Sequence, residues 1–440
     1  MSRKYFYFLL LMTAAAAQAV VPGVQQDGAA ALPQIHGAYT LRVEKGQPQV
    51  QAHDAAGEFY ANQTLQQLLI EHEGELPEGL QMTDFPRYEW RGLHVDVSRH
   101  FFDMAVLRRM VDTMAMLKFN RLHLHLTDGP GWRLEIKRYP RLTAVGAWRK
   151  KLGPGPHEWA DFRIGPDFPE IYGGFYTQEQ MREFIAYARE RHVMVVPEVD
   201  LPGHAFATLV AYPHFRLPQF TLEETQCGRD ILNVEHPEVL EFAKNVLDEL
   251  MGIFPADTPI HLGGDEVDTT LLSREQQRVF IQRLVDYLAE HGRRAITWDE
   301  AAENGVRGQW VMLWRPDKLQ MALATGMPLI LCPLSHFYFD YPQSERPGEP
   351  GAPNTFVISP QKVHGYTPPR APQVLGMQAN LWSEQIDSAE RLFYMAFPRA
   401  AVLAEHAWGS PRRPFNKLLR NWQQLWTDLT NATESEEKEK

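Results

Sequence analysis

Cysteine is scarce in this chain of 440 residues, which contains Cys227 and Cys332 and no other. Two cysteines cannot build a disulfide framework or the ligand set of a zinc finger, so neither class of protein fits. The pair could form one disulfide in an oxidising compartment, but we treat both as free thiols. With 44% hydrophobic residues, the chain can bury one large core and a small additional domain.

Sustained basic runs are also missing. The formal net charge is −11 and the pI is about 5.9, which argues against nucleic acid or an anionic membrane surface as a partner. We therefore expect the partner to be neutral or small. No internal repeat is evident in the sequence.

One apolar run, residues 5–17, follows Arg3 and Lys4 and ends in Ala17-Gln18-Ala19. This pattern predicts a cleavable signal peptide over residues 1–19, and hence a periplasmic or secreted protein. The run is too short to span a bilayer as a normal transmembrane helix, although an uncleaved anchor is the alternative. Cleavage would remove two of the positive charges and bring the net charge from −11 to −13.

Eight apolar stretches alternate with segments of helical period. The predicted strands are 92–98, 121–128, 192–200, 259–266, 294–300, 311–315, 328–339 and 374–384. The predicted helices are 103–118, 178–191, 235–251, 273–291, 317–325 and 390–406. This alternation predicts an α/β fold, a (β/α)8 barrel, whose chemistry gathers at the carboxyl ends of the strands.

The remaining segments predict a small domain and two loops. Alternation over residues 39–43 and a helix-like stretch over 63–70 predict a short α/β region within residues 20–85. The catalytic barrel then takes residues 86–430, and residues 431–440 form a disordered tail. Segments 146–175 and 341–373 are rich in glycine, proline and aromatic residues and predict long loops over the active face.

Adjacent carboxylates stand at the end of the fourth predicted strand, where Gly263 and Gly264 lead directly into Asp265 and Glu266. Like charges this close repel, which raises one pKa and suits a general acid that must hold its proton near neutral pH. The glycines leave room for a bulky group to approach the backbone. A solvated acidic turn is the ordinary interpretation of an Asp-Glu pair, but the order strand, glycines, acids favours a catalytic site.

Over roughly residues 36–410 the chain resembles glycoside hydrolase family 20, the exo-acting β-N-acetylhexosaminidases. The motifs that carry the resemblance occur in order at 91–99 (RGLHVDVSR), 125–128 with 131–133 (HLTD and GWR), 197–204 (PEVDLPGH), 261–266 (HLGGDE), 298–300 (WDE), 381–384 (LWSE) and 398–399 (PR). The resemblance implies removal of terminal β-linked GlcNAc or GalNAc from glycans or chitooligosaccharides. It implies neither a cofactor nor a metal.

The mechanism follows partly from the residues and partly from the resemblance. A retaining glycosidase with two working carboxylates needs them about 5 Å apart on opposite sides of the scissile bond, which chain neighbours cannot easily achieve. The resemblance implies that the 2-acetamido oxygen of the substrate is the nucleophile and forms an oxazolinium intermediate. Glu266 would then be the general acid and base, and Asp265 would hold the acetamide N–H. We expect the pair to lie at or just past the strand end, since strict alternation would separate the two side chains.

The resemblance also implies a set of substrate-binding residues. These are Arg99, Asp128, His204, Trp298, Trp314, Tyr338, Asp340, Trp382 and Glu384. Arg99 and Glu384 would bind sugar hydroxyls, Asp128 and His204 would support the acid, and the tryptophans would wall the pocket. Tyr338 and Asp340 would contact the acetamide oxygen and a hydroxyl.

Each of these assignments has a structural alternative. Arg99 could form a surface salt bridge, His204 could cap a helix, and a lone tryptophan is usually core. Tyr338 and Asp340 lie among other aromatic residues, so their register is open to a packing role. Where the family often has Asp-Asp-Gln-Gly-Trp, residues 128–132 read Asp-Gly-Pro-Gly-Trp, which puts contacts to the leaving group in question.

Two other functions remain as alternatives. His123 and His125 form a His-x-His pair on a predicted strand, as in metal-dependent amidohydrolases, with His204 and His261 at other strand ends. That interpretation leaves the Asp-Glu pair and the tryptophans unexplained, and we expect the histidines to pack or to bond neighbouring backbone. A catalytically silent glycan-binding relative is the other alternative, although such a protein would not need both Asp265 and Glu266.

Overall fold

The computed structural model describes residues 32–150, 171–225 and 228–409. The predicted signal peptide, Cys227 and the predicted tail lie outside these described residues. Within them, no helix is long and apolar enough to cross a membrane.

Eight parallel strands close into a barrel, as the alternation predicted. In chain order they are Trp90–Asp96, Arg121–His125, Met194–Glu198, Ile260–His261, Ala295–Trp298, Trp310–Leu313, Leu329–Leu331 and Val374–Leu381. Each strand pairs with its chain neighbour, and the eighth pairs with the first, Gly376 lying opposite Trp90 and Leu381 opposite Val95. All carboxyl ends therefore meet at one face.

Two predicted strands are much shorter than the sequence pattern indicated. The fourth was predicted over 259–266 but ends at His261, because Gly263 and Gly264 take φ values of +68° and +92° that no strand has. The seventh was predicted over 328–339 but ends at Leu331, and Leu334–Phe337 is a helical turn. The apolar residues after Leu331 belong to a buried connection, which periodicity alone cannot tell from a strand.

Helices surround the barrel. The longer ones are Met104–Met116, Gln178–Arg189, Pro237–Ile253, Arg274–Glu290, Ala389–Ala396 and Arg399–Trp408, with shorter ones at Arg141–Ala144, Phe206–Ala211, Asp299–Glu303, Leu319–Ala324 and Pro360–Gly365. The prediction of one helix over 390–406 was wrong. The chain breaks at Pro398, which has no N–H to continue the hydrogen-bond ladder.

A small α/β unit precedes the barrel. Its strands Tyr39–Glu44, Gln47–Ala52 and Gln81–Asp84 form an antiparallel sheet, covered by the helix Ala55–Glu71. Trp408, from the last described helix, packs into its core and donates its indole N–H to Asp84 at 2.9 Å. The unit is thus packed directly on the barrel.

The predicted loops carry some regular structure. Trp148–Lys150 pairs with Ile171–Gly173 on either side of residues 151–170, and the helix Pro360–Gly365 lies in the second loop. A short hairpin of Thr127–Asp128 with Gly131–Trp132 follows the second barrel strand. This hairpin places Asp128 at the carboxyl face.

The barrel interior is divided into apolar and polar parts. Its apolar cluster contains Trp90, Val196, Ile296, Trp298, Met312, Ile330 and Cys332, and Cys332 is a buried free thiol. Fully buried polar side chains share the interior, namely His94, His123, Glu198, His261, Gln378 and Asn380. This polar cluster lies directly beneath the active face.

Candidate active site

Asp265 and Glu266 lie past the end of the fourth strand, as expected. Asp265 is buried, whereas the Glu266 side chain is 60% exposed and has a φ of +52°. The positive φ values of Gly263, Gly264 and Glu266 turn the chain so that neighbouring residues need not follow strand alternation. One carboxylate is therefore enclosed by protein while the next faces solvent.

The group that approaches Gly263 is part of the protein itself. A Cβ at position 263 would lie 1.7 Å from Asp200 Oδ1, and the same oxygen accepts a hydrogen bond from Gly264 N at 3.1 Å. Asp200 comes from the loop after the third strand. The glycines thus admit a neighbouring carboxylate that fixes the turn before Asp265.

Asp265 has a raised pKa, and burial is its main cause. The Asp200 carboxylate adds to the effect, while Glu266 contributes less than either. The expectation of a raised pKa in this pair is met at Asp265, but repulsion between chain neighbours is not the leading reason. Burial also raises the pKa of Asp200 to about 6.

His204 lies between Asp128 and the Asp265–Glu266 pair. Its Nδ1 lies 3.2 Å from Asp128 Oδ2, and its Nε2 lies 3.6 Å from Glu266 Oε2 and 3.8 Å from Asp265 Oδ2. The capping alternative is wrong, because Ala205 precedes the helix Phe206–Ala211 and no side chain caps it. Burial opposes a charge on His204, but the carboxylates of Asp128, Asp200 and Asp265 together outweigh burial and hold the pKa well above its ordinary value.

Arg99 is buried among three carboxylates, so the surface salt-bridge alternative is wrong. Its guanidinium lies 2.7 Å from Asp128, 3.3 Å from Asp96 and 3.7 Å from Glu384, and it stacks over the Trp382 ring at 5.1 Å. Residues from the first, second and eighth strand ends therefore meet around one cation.

Four aromatic rings of the predicted site pack against one another. Trp314 stacks on Tyr338 with ring centroids 6.1 Å apart, and Trp382 lies 6.2 Å from Tyr338 and 5.9 Å from Trp298. Trp314 and Trp382 are only partly buried. Trp298 is 1% exposed and belongs to the barrel interior, so the core alternative fits this ring best.

Tyr338 and Asp340 lie among buried aromatic residues. Phe337 and Phe339 are fully buried in the main core, which also includes Tyr338, and the Tyr338 ring stacks on that of Trp314. Burial and the nearby Glu384 raise the pKa of Asp340 well above its ordinary value. Both Asp340 Oδ1 and Asp265 Oδ1 are buried with no hydrogen-bond partner among the described residues.

Several site residues were missing from the sequence prediction. Asp96 accepts backbone N–H bonds from Ser98 and Ser383, and Glu300 accepts the Trp314 indole N–H at 3.0 Å. Burial raises the pKa of Glu300 to about 8. Asp96, Glu198, Asp200 and Glu300 all lie inside the motifs quoted above, at strand ends, and that position was the available signal.

The histidines pack and bond backbone as expected: the His123 ring lies against those of His261 and Trp298, and His261 Nδ1 accepts the backbone N–H of Gly263 at 3.0 Å. In addition, His123, His125 and His261 place ring nitrogens near the single carboxylate of Glu198, at 3.2, 2.6 and 2.9 Å. His94, His123 and Glu198 could also hold a metal ion by their spacing, but all three are fully buried, where no substrate could reach the ion. Three further sets have such spacing among the described residues; one is His204 with Asp265 and Glu266, where a charged His204 is a poor ligand.

A barrel with paired carboxylates, a buried arginine and an aromatic wall at its carboxyl face is the architecture of a carbohydrate-active hydrolase. Comparison with known families makes this specific. The model of "Glycosyl hydrolase family 20, catalytic domain" matches residues 88–411, and that of its domain 2 matches residues 11–85. The chain belongs to glycosyl hydrolase family 20.

Individual relatives agree with this assignment. A beta-hexosaminidase of Porphyromonas gingivalis is 36% identical over 86% of this chain, which spans only 51% of that protein. One of Akkermansia muciniphila is 33% identical, covering 84% of this chain and 79% of the relative. The crystal structure of the GH20 exo β-N-acetylglucosaminidase from Vibrio harveyi with N-acetylglucosamine superposes with a TM-score of 0.78 at 29% identity, covering 90% of this chain and 67% of that one.

Proposed function

We propose that the protein is an exo-acting, retaining β-N-acetylhexosaminidase that removes terminal β-linked GlcNAc or GalNAc by substrate-assisted catalysis. The observation that carries the proposal is the pair of buried carboxylate oxygens at the barrel face, Asp265 Oδ1 and Asp340 Oδ1, that have no hydrogen-bond partner within the described part of the chain. Buried polar atoms without partners are costly, and a bound N-acetyl sugar offers the N–H and O–H donors that would satisfy them.

Glu266 acts as the general acid and then as the general base. Its exposure lets it reach both the leaving oxygen and an incoming water. Asp265 is too close in the chain to flank the scissile bond from the other side, so the 2-acetamido oxygen attacks the anomeric carbon. The leaving oxygen takes the proton of Glu266, and an oxazolinium ion forms.

Asp265 stabilises the charge that develops on the acetamide. A carboxylate with a raised pKa is more basic, and is therefore a stronger acceptor for the acetamide N–H. Trp314 and Trp382 supply apolar faces beside it for the methyl group and the sugar ring. Water then opens the oxazolinium ion with Glu266 as base, which retains the β configuration.

The end of the pocket supports exo action. Arg99 and Glu384 lie 3.7 Å apart, and the Asp340 carboxyl lies near both. Such groups can bind the hydroxyls of a terminal sugar. The signal-like amino terminus supports a periplasmic or secreted location.

The products of chitooligosaccharide cleavage test this proposal. We expect release of single GlcNAc units from the non-reducing end, with the β anomer formed first in ¹H NMR spectra. Internal fragments would overturn exo action, and initial formation of the α anomer would overturn the retaining mechanism.

A further inference from the structure

A continuous row of ionisable side chains runs from the barrel interior to the catalytic pair. Glu198 Oε2 lies 2.6 Å from His125 Nδ1, and His125 Nε2 lies 3.0 Å from Asp128 Oδ2. The same Asp128 oxygen lies 3.2 Å from His204 Nδ1, and the other nitrogen of His204 faces Glu266 at 3.6 Å. Acid and base alternate at every step.

The inner end of the row is fixed on all sides. Glu198 is fully buried, accepts the indole N–H of Trp298 at 2.8 Å, and has His261 and His123 within 3.2 Å of its oxygens. A buried carboxylate is costly unless it is paired and hydrogen-bonded, as Glu198 is here. Its position is therefore set by the barrel rather than by solvent.

We infer that Glu198 and His125 are positioning residues for catalysis: they fix the Asp128 carboxylate, and through it the orientation of the His204 imidazole against Glu266. The inference rests on the proposed function. Neither residue touches the substrate, because both are enclosed in the barrel interior. Asp128 alone could turn about its side-chain bonds, whereas His125 and Arg99 hold the same oxygen from two directions.

The charge state of His125 follows from its neighbours. The ionisable groups that face it are Glu198, Asp128, Asp96, Asp200, His94 and His123. Burial opposes its charge, but Glu198 and Asp128 outweigh burial and hold the pKa of His125 well above its ordinary value. His125 thus remains charged through the neutral range, and it would release its proton at lower pH if Glu198 lost its charge.

The substitution Glu198→Gln tests the row. We expect kcat on aryl β-GlcNAc to fall about 10- to 100-fold with KM nearly unchanged, because orientation of a catalytic group is lost while sugar contacts remain. The alkaline limb of the kcat profile should also move to lower pH, because the His125 pKa falls when the Glu198 charge that raises it is removed. Glu198→Asp keeps the charge and should restore the wild-type limb.

Gln378→Leu is the matched control. Gln378 is equally buried in the barrel, and its side-chain hydrogen bonds among the described residues go to Trp90, His123, Met312 and Asn380 rather than to His125 or Asp128. The Gln378→Leu variant should keep the alkaline limb of the kcat profile at its wild-type pH, even if the substitution lowers the melting temperature. A Glu198→Gln enzyme with the wild-type limb, whatever its kcat, would overturn the inference.

A measurement on the unmodified protein covers the case in which Glu198→Gln does not fold. The ¹⁵N chemical shifts of the His125 ring should be those of an imidazolium at about pH 7.5, a unit above the ordinary histidine pKa. A neutral ring would overturn the inference. This measurement needs no turnover, so it tests the inference about Glu198 and His125 separately from the proposed function. Failure of the proposed function would instead show as an inactive wild-type enzyme.

Discussion

The carboxylate of Asp200 fills the space beside Gly263 that any side chain at position 263 would need. Gly263 also has a φ of +68°, which other residues adopt at a cost. Gly263→Ala should therefore destabilise the protein by about 2–4 kcal/mol, from strain and displacement of Asp200. Urea unfolding measures this change, and a loss below about 0.5 kcal/mol would contradict the packing described.

Gly252→Ala is the matched control for this prediction. Gly252 lies in the helix Pro237–Ile253, and a Cβ there meets no atom within 4 Å. Alanine should leave stability unchanged or raise it by up to about 1 kcal/mol, since glycine is a poor helix former.

Arg99→Lys should raise KM about tenfold or more. A lysine ammonium is a single point charge, so it cannot contact Asp96, Asp128 and Glu384 as the planar guanidinium does. Steady-state kinetics on aryl β-GlcNAc gives the change. Arg108→Lys, on an exposed helix face, is the control, and equal KM values for the two variants would argue against a sugar-binding role for Arg99.

Glu266→Gln should abolish turnover and leave sugar binding largely in place. Glutamine cannot donate the proton that the leaving oxygen needs, so kcat should fall about 10²- to 10⁴-fold. Calorimetric titration with N-acetylglucosamine checks binding, and Glu290→Gln on an exposed helix end is the control. Retained turnover would remove Glu266 from the role of general acid.

Asp265→Asn should lower kcat about 100-fold or more with a smaller effect on KM. The amide is a weaker acceptor for the acetamide N–H, and the lost interaction strengthens only as the oxazolinium charge develops. Asp317→Asn is the control, because the Asp317 side chain is 75% exposed. A variant of Asp265 with near wild-type kcat would remove the substrate-assisted account.

The barrel was predictable from sequence because each strand is an apolar stretch and each helix has its own period. The predicted ends of strands and helices were wrong where the backbone conformation departs from the one that the sequence pattern predicts. The fourth strand was predicted to continue to Glu266, yet the positive φ of Gly263 ends the strand early. In the last helical segment the signal was present, since Pro398 cannot continue a helix.

The site was predictable as far as strand ends show which residues meet. Arg99, Asp128 and Glu384 are distant in sequence and converge because all follow parallel strands. The degree of burial of each side chain was not predictable, because the local sequence does not distinguish the buried Trp298 from the partly exposed Trp382. Glu198 was missed because its role depends on histidines from two other strands, which only the closed barrel brings together.

The most direct test of the account is hydrolysis of aryl β-GlcNAc and aryl β-glucoside, each with and without a chelator. We predict cleavage of the N-acetyl substrate alone, unaffected by chelation, because the nucleophile is the 2-acetamido group. Equal cleavage of both substrates would mean that the enzyme supplies its own nucleophile, and loss of activity on chelation would favour a metal-dependent hydrolase. Cleavage of neither would favour a silent glycan-binding protein and contradict the central claim.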